Sequence, residues 1–291
     1  MGGRRVINPR LKASRNPGGR RIGPLHWGMP NLRVVALPDH LGPDALSGAV
    51  AVVIDVLRAT TTIAHALGHG AACVIPVASV EAARMIAHDR PGALLCGERG
   101  GIKPEHFTLG NSPAEYTPAA VGGRDLVLST TNGTRALHMC DRAHEILTAS
   151  FINMDAVAGA LIERGLDTVL VCSGTDGRVS FEDCLCAGLL ADALRDSHTP
   201  DDSARLMQDA ARGALERCGS LEDAVASSFH AARLVGLGFG DDVVYAARRS
   251  VCPVVPRMDP ATGEIRPIGG GVRIGPGEAR VESVFPAPTN D

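Results

Sequence analysis

Asp55 directly follows the apolar run Val52, Val53, Ile54, and Arg58, Ala59, Thr60, Thr61 and Thr62 come just behind it. An acid at the point where a buried strand leaves the core is costly to bury unpaired, so Asp55 requires a cation or the Arg58 guanidinium. A hard divalent ion such as Mg²⁺ takes one or two carboxylates, several waters and the phosphate oxygens of a substrate. The acids that could complete such a set are Glu98, after the short apolar run 93–96, and Asp176 or Glu182 in the long polar loop opened by Ser173 and Gly174. Glu182 and Asp183 read equally as ordinary first-turn acids behind a cap at Ser180.

Hydroxyl and amide residues gather at two further places, 58–62 and 131–134, the second being Thr131, Asn132, Gly133 and Thr134. A helix N-terminus presents unpaired N–H groups and the positive end of the helix dipole, so such loops are ready anion sites. Capping by Thr61, Thr62 and Thr134 is the plainer alternative for either loop alone. Three loops of this kind on adjacent strand ends favour an anion site.

These residues need strands to carry them. The run from Ala49 to Ile54 predicts a buried strand, followed by a loop and an alanine-rich helix containing 63–67. Further strands are expected over 73–77, 93–96, 125–129, 145–149 and 168–172. Helices are expected over 81–88 behind a cap at Ser79, from about Arg135, and over 154–164 and 184–194. Residues 200–202 read as a linker, 204–217 and 221–234 as helices, and the Pro- and Gly-rich tail from Val251 as short strands and turns wrapping the body. The alternation implies a three-layer α/β/α fold on a mostly parallel or mixed sheet, with ligands bound at the carboxyl ends of its strands. That rule points to the loops after Ile54, Leu128 and Val171.

Composition narrows the function. Of 29 basic residues, eight precede Asp39 with no acid among them, which leaves 21 against 32 acidic ones, so the body is acidic. Residues 1–32 read as a disordered basic extension and 33–291 as one α/β domain, with a division into two packed halves near 150–200 left open. Aromatics make up 3% of the chain, too few for stacking bases, and no apolar run is long enough to span a membrane, so neither nucleic acid nor membrane is an expected partner. Eight scattered cysteines show no two-residue gap and read as buried thiols in a reducing cytoplasm. A P-loop kinase is disfavoured, because Lys12 and Lys103 are the only lysines and neither follows a glycine-rich strand exit. His65 and His69, four apart without a metalloprotease context, read as helix-surface residues. Cys172 lacks the Arg-terminated loop of cysteine phosphatases.

At the strand-end loops the sequence resembles the 2-phosphosulfolactate phosphatase family. The matching stretches are 54–62, 97–99, 110–113, 130–134, 172–174 with Ser180, Glu182, Asp183 and 186–188, and a later Gly240, Asp241, Asp242. The resemblance implies a Mg²⁺-dependent phosphatase that converts 2-phosphosulfolactate to sulfolactate and phosphate in coenzyme M biosynthesis. On it, Asp55, Arg58 and Glu182 are assigned catalytic roles, and Asp55 and Glu182 hold the metal with Glu98 or Asp176 assisting. Thr60, Thr61, Asn132, Gly133, Thr134, Ser173 and Gly174 bind the substrate, and Arg99 takes its sulfonate or carboxylate. Whether water or Asp55 attacks phosphorus stays open, as does assembly into a homo-oligomer. The alternatives are a phosphatase for another phosphorylated 2-hydroxy acid and a non-catalytic binder of anionic metabolites.

Overall fold

The computed structural model describes residues 28–268 apart from Pro43, so the expected basic extension lies, over 1–27, outside the described residues. The longer strands are β1 (Asn31–Val35), β2 (Val50–Ile54), β3 (Cys73–Pro76), β4 (Leu94–Gly97), β5 (Asp125–Ser129), β6 (Glu145–Ala149) and β7 (Thr168–Cys172), and β2, β4, β5 and β7 end at the chemistry-bearing loops. Three shorter strands follow, β8 (Thr199–Pro200), β9 (Pro256–Met258) and β10 (Ile265–Pro267). All ten form one sheet in the order β4-β5-β3-β10-β9-β6-β2-β7-β1-β8, parallel except around β9 and β10. It is the mixed sheet that the alternation of elements predicts.

Both faces of this sheet are covered, which explains why β2 and β7 are buried throughout and near-continuously apolar instead of alternating. Val50, Val52 and Ile54 of β2 and Leu170 and Cys172 of β7 enter one core, while Ala51, Val53, Val169 and Val171 enter the other. The first core is roofed by α5 (Met154–Arg164), α6 (Phe181–Ala193), α7 (Asp202–Cys218), α8 (Leu221–Ala226), α9 (Phe229–Gly236) and α10 (Gly240–Ala246). The second is roofed by α1 (Ala59–Gly68), α3 (Pro118–Val121) and α4 (Gly133–Met139), and α2 (Val80–Asp89) covers a third, smaller cluster over β3 and β5. Helices on both faces of one sheet make the three-layer fold.

Local chemistry sets the element ends. The Ser79 hydroxyl accepts from the Ala82 N–H at the start of α2, and the Asp201 carboxylate from the Ala204 N–H at the start of α7. Gly165, at φ 57°, ends α5 in a left-handed turn. Gly188 lets α6 and α7 touch, since a Cβ there would lie 2.2 Å from the Met207 carbonyl oxygen.

Several expectations are corrected. The span 200–202 is no linker: it pairs with β1 through β8 and starts α7. The helix expected over 221–234 is two helices, because Ser228 starts a new N-cap, its hydroxyl accepting from the Ala231 N–H. β1, not expected from the sequence, lies between β7 and β8. Of the tail, residues 251–268 are described, and they carry the expected short strands, though not as a wrapping around the body. Instead β9 and β10 form a hairpin inserted between β3 and β6, where they supply the pairing that joins the two parallel blocks. With β3, the hairpin and β6 between them, β5 is not adjacent to β2, and only β2 and β7 are neighbours among the three strands whose ends were expected to adjoin. Among the described residues no helix is long and apolar enough to cross a membrane.

Candidate active site

Despite that separation, the loops after β2, β4, β5 and β7 converge on one open cleft. It is lined by Asp55, Arg58, Glu98, Asn111, Thr130 to Asn132, Thr175, Asp176, His230 and Arg233, with Gly100, Gly101, Leu57 and Leu234. The joint is Gly133, the first residue of α4. A Cβ there would lie 2.5 Å from the Ala59 Cβ and 2.7 Å from Asp55 Oδ2, so only glycine allows α4 to abut the start of α1.

Asp55 is held from its own loop. Its Oδ1 accepts from the Ala59 N–H at 3.1 Å, at the start of α1, and its own N–H donates to Thr60 Oγ1 at 3.0 Å. Burial pushes the Asp55 carboxyl up to about 6; the Ala59 N–H and His230 oppose this, and Glu98 and Glu182 add to it. Glu182, at the start of α6, is 1% exposed and lies 3.4 Å from His230 Nδ1 through Oε1, while its Oε2 is buried with no hydrogen-bond partner. Asp183 beside it ties two loops together, accepting from the Val56 N–H at 2.8 Å and the Gly174 N–H at 3.1 Å. Burial, then Glu182 and Asp55, hold the Asp183 carboxyl well above the usual carboxylate range.

The other predicted residues divide. Arg58 lines the cleft, donating from its two terminal nitrogens to Asp242 Oδ2 at 2.7 Å and to the Gly101 carbonyl at 2.8 Å, with its guanidinium carbon 4.1 Å from the centroid of the Phe239 ring. Asp242 also accepts from the Ser112 hydroxyl at 2.6 Å, and burial raises its pKa against the effect of both partners. Glu98 reaches the cleft, but its two oxygens accept from the Gly101 and Thr131 N–H groups, both at 2.7 Å, so it buckles two loops together. Asn132 lines the cleft and accepts from the Asp176 N–H at 3.2 Å. Asp176 is at the rim, paired with Arg233 at 3.0 Å.

Thr60, Thr61 and Thr134 are buried, with hydroxyls donated to backbone carbonyls: Thr60 to those of Asp55 and Ala149, Thr61 to Val56, Thr134 to Thr130. They brace the loops by donating to carbonyls and neither line the cleft nor cap the helices, since α1 and α4 start without a side-chain cap. The Ser173 hydroxyl is buried without a partner, and Gly174, at φ 67°, leaves no room for a side chain between Leu37 and the Arg178 carbonyl. Arg99 turns away from the cleft, because the carbonyls of Glu98 and Ala78 and the Ser129 hydroxyl take its guanidinium. His65, expected on a helix surface, is buried: its Nδ1 is 2.6 Å from the Tyr245 hydroxyl, and burial lowers its pKa to about 3.

Sequence reasoning missed His230, Arg233 and Asp242 as site residues. The first two lie three apart on α9, hence on one helical face, and that spacing was the available signal. His230 Nδ1 is also 2.9 Å from the Thr175 hydroxyl.

Among the described residues, no three His, Cys, Asp or Glu side chains converge as a metal-binding group. The donor set nevertheless suits an ion such as Mg²⁺, which needs only one or two carboxylates beside water and substrate oxygens. The buried, unpartnered Glu182 Oε2 and the mutual repulsion of Asp55, Glu182 and Glu98 are what a divalent cation would relieve.

The family profile described as 2-phosphosulpholactate phosphatase matches residues 35–260. Proteins named "Probable 2-phosphosulfolactate phosphatase" are similar over most of their length. That of Deinococcus radiodurans is 43% identical over 79% of this chain and 93% of its own, and that of Carboxydothermus hydrogenoformans 42% over 74% and 89%. That of Clostridium perfringens is 36% identical over 83% and 98%. This chain belongs to the 2-phosphosulfolactate phosphatase family, a family of phosphoric monoester hydrolases.

Proposed function

We propose that this member of the 2-phosphosulfolactate phosphatase family hydrolyses the phosphate ester of 2-phosphosulfolactate to sulfolactate and phosphate, with Mg²⁺ as its cofactor, in a coenzyme M type of biosynthesis. The observation that carries the reading is Asp55, a buried carboxylate facing a cleft whose other walls offer amide, guanidinium and hydroxyl donors. A carboxylate in an anion cradle repels phosphate unless a cation stands between the two. Asp55 and Glu182 would hold that ion. Bound there, it supplies Lewis-acid polarisation of the phosphoryl oxygens and neutralises their charge.

The protein's own groups do the rest by position. Asp242 and the Gly101 carbonyl hold the Arg58 guanidinium in one orientation, so its charge faces the cleft without reorganising as charge builds on the departing ester. The Ala59 N–H fixes Asp55. His230, bonded to Thr175, lies 3.4 Å from Glu182 Oε1 and fixes the orientation of that carboxylate.

Phosphate release from 2-phosphosulfolactate, 2-phospholactate and p-nitrophenyl phosphate, with and without Mg²⁺, tests this reading. Turnover should require Mg²⁺ and favour the sulfonate, and Asp55→Asn should reduce kcat/KM by at least about 100-fold. Equal turnover of phospholactate would remove the sulfonate from the reading. Thermal stabilisation by phosphosulfolactate without phosphate release would make the chain a binding protein.

A further inference from the structure

The proposed substrate carries acidic groups besides its phosphate, and Arg99, the residue assigned to them from the sequence, faces the other way. Among the described residues, the cationic or ionisable-nitrogen side chains lining the cleft are Arg58, His230 and Arg233. Arg58 is buried and committed to Asp242 and Gly101. His230 is committed through Nδ1 to Thr175 and Glu182. Arg233 differs from both. Its side chain is 40% exposed at the rim, one terminal nitrogen is 3.0 Å from Asp176 Oδ2, and the other is 3.5 Å from the Gly100 carbonyl.

We propose that Arg233 is the specificity-determining residue, exchanging its solvent-exposed pair with Asp176 for the sulfonate or carboxylate of a phosphorylated 2-hydroxy acid; this rests on the phosphatase reading above. The guanidinium fork matches a multi-oxygen anion with two parallel N–H donors, which a point charge does not. An exposed ion pair gives way at little cost, so the exchange is open to it, whereas the buried Arg58–Asp242 pair is not free to exchange. Asp176 is kept at the rim by its N–H bond to Asn132 Oδ1, so it holds Arg233 over the mouth until an anion enters. The α9 register sets the geometry: His230 and Leu234 line the cleft on the same helical face as Arg233.

The test compares wild type, Arg233→Met and Arg233→Lys by steady-state kinetics with Mg²⁺ on 2-phosphosulfolactate, 2-phospholactate and p-nitrophenyl phosphate, which lacks a second anion. In Arg233→Met, kcat/KM for phosphosulfolactate should fall about 100-fold further than for p-nitrophenyl phosphate, mainly through KM, and Arg233→Lys should recover part of it. The phospholactate arm tells whether sulfonate or carboxylate is the group held. Equal losses on all substrates, or none, would overturn the assignment. Wild-type enzyme without preference for the doubly anionic esters would instead overturn the substrate reading. If wild type turns over none of them, calorimetric binding of 3-sulfolactate decides: weaker binding in Arg233→Met upholds Arg233, and equal binding overturns it.

Discussion

At the scale of single residues, charge and contact distance control this site together. Gly133 is the sharpest case, because its missing side chain is what lets Asp55 and Ala59 meet the start of α4. Gly133→Ala should force both loops apart. The expected outcome is a loss of about 1–3 kcal/mol in a denaturant titration, with a larger fall in activity than such a loss explains, because Asp55 itself is displaced. An unchanged kcat/KM would mean that the contact positions nothing. The glycine was legible as part of a polar strand-end loop, whereas its reason, a close approach to a residue 78 positions earlier, belongs to the packed chain.

At the scale of elements, α9 links fold to specificity. It has eight residues, too few to be stable alone, and depends on its cap and on Ala231 and Leu234 in the core. Ser228→Ala removes the hydroxyl that accepts from the Ala231 N–H and should cost about 1 kcal/mol. Because His230 and Arg233 ride on this helix, the same change should raise KM with little effect on the overall far-ultraviolet spectrum. Unaltered KM would detach α9 from substrate binding. The sequence reading merged α8 and α9 because apolar periodicity continues across 227–228, and only the cap geometry separates them. Short strands were expected in the tail, but the insertion of the β9–β10 hairpin into the sheet was not, because strands of three residues carry almost no periodic signal that specifies their partners.

For the molecule as a whole, the cluster of buried acids makes stability a function of pH and, on the proposed Mg²⁺ reading, of the cation. Asp55 binds its proton more tightly when folded, with a pKa near 6 against the ordinary 3.8. Its contribution, up to about 3 kcal/mol, is therefore present below pH 4 and lost as pH rises through 6. Asp183 is shifted in the same direction. Metal-free protein should thus melt at lower temperature at pH 7.5 than at pH 5, as read by scanning fluorimetry. Mg²⁺ should raise the melting temperature more at pH 7.5, where the acids are ionised, and Asp55→Asn should raise it without metal. Stabilisation by Mg²⁺ that is equal at both pH values would place the cation away from Asp55.

The α/β alternation, the strands 125–129, 145–149 and 168–172, and the loops that carry Asp55, Glu98, Asn132 and Glu182 were legible from residues alone, because apolar runs and polar strand exits are local patterns. Tertiary structure alone decided which of those side chains share the cleft. Thr60, Thr61 and Thr134 found carbonyl partners within their own loops, Arg99 found three acceptors at the ends of β3, β4 and β5, and Arg233 arrived from a helix about 180 residues after Asp55. A hydroxyl or guanidinium goes wherever unsatisfied acceptors lie, and those acceptors exist only once the chain is packed.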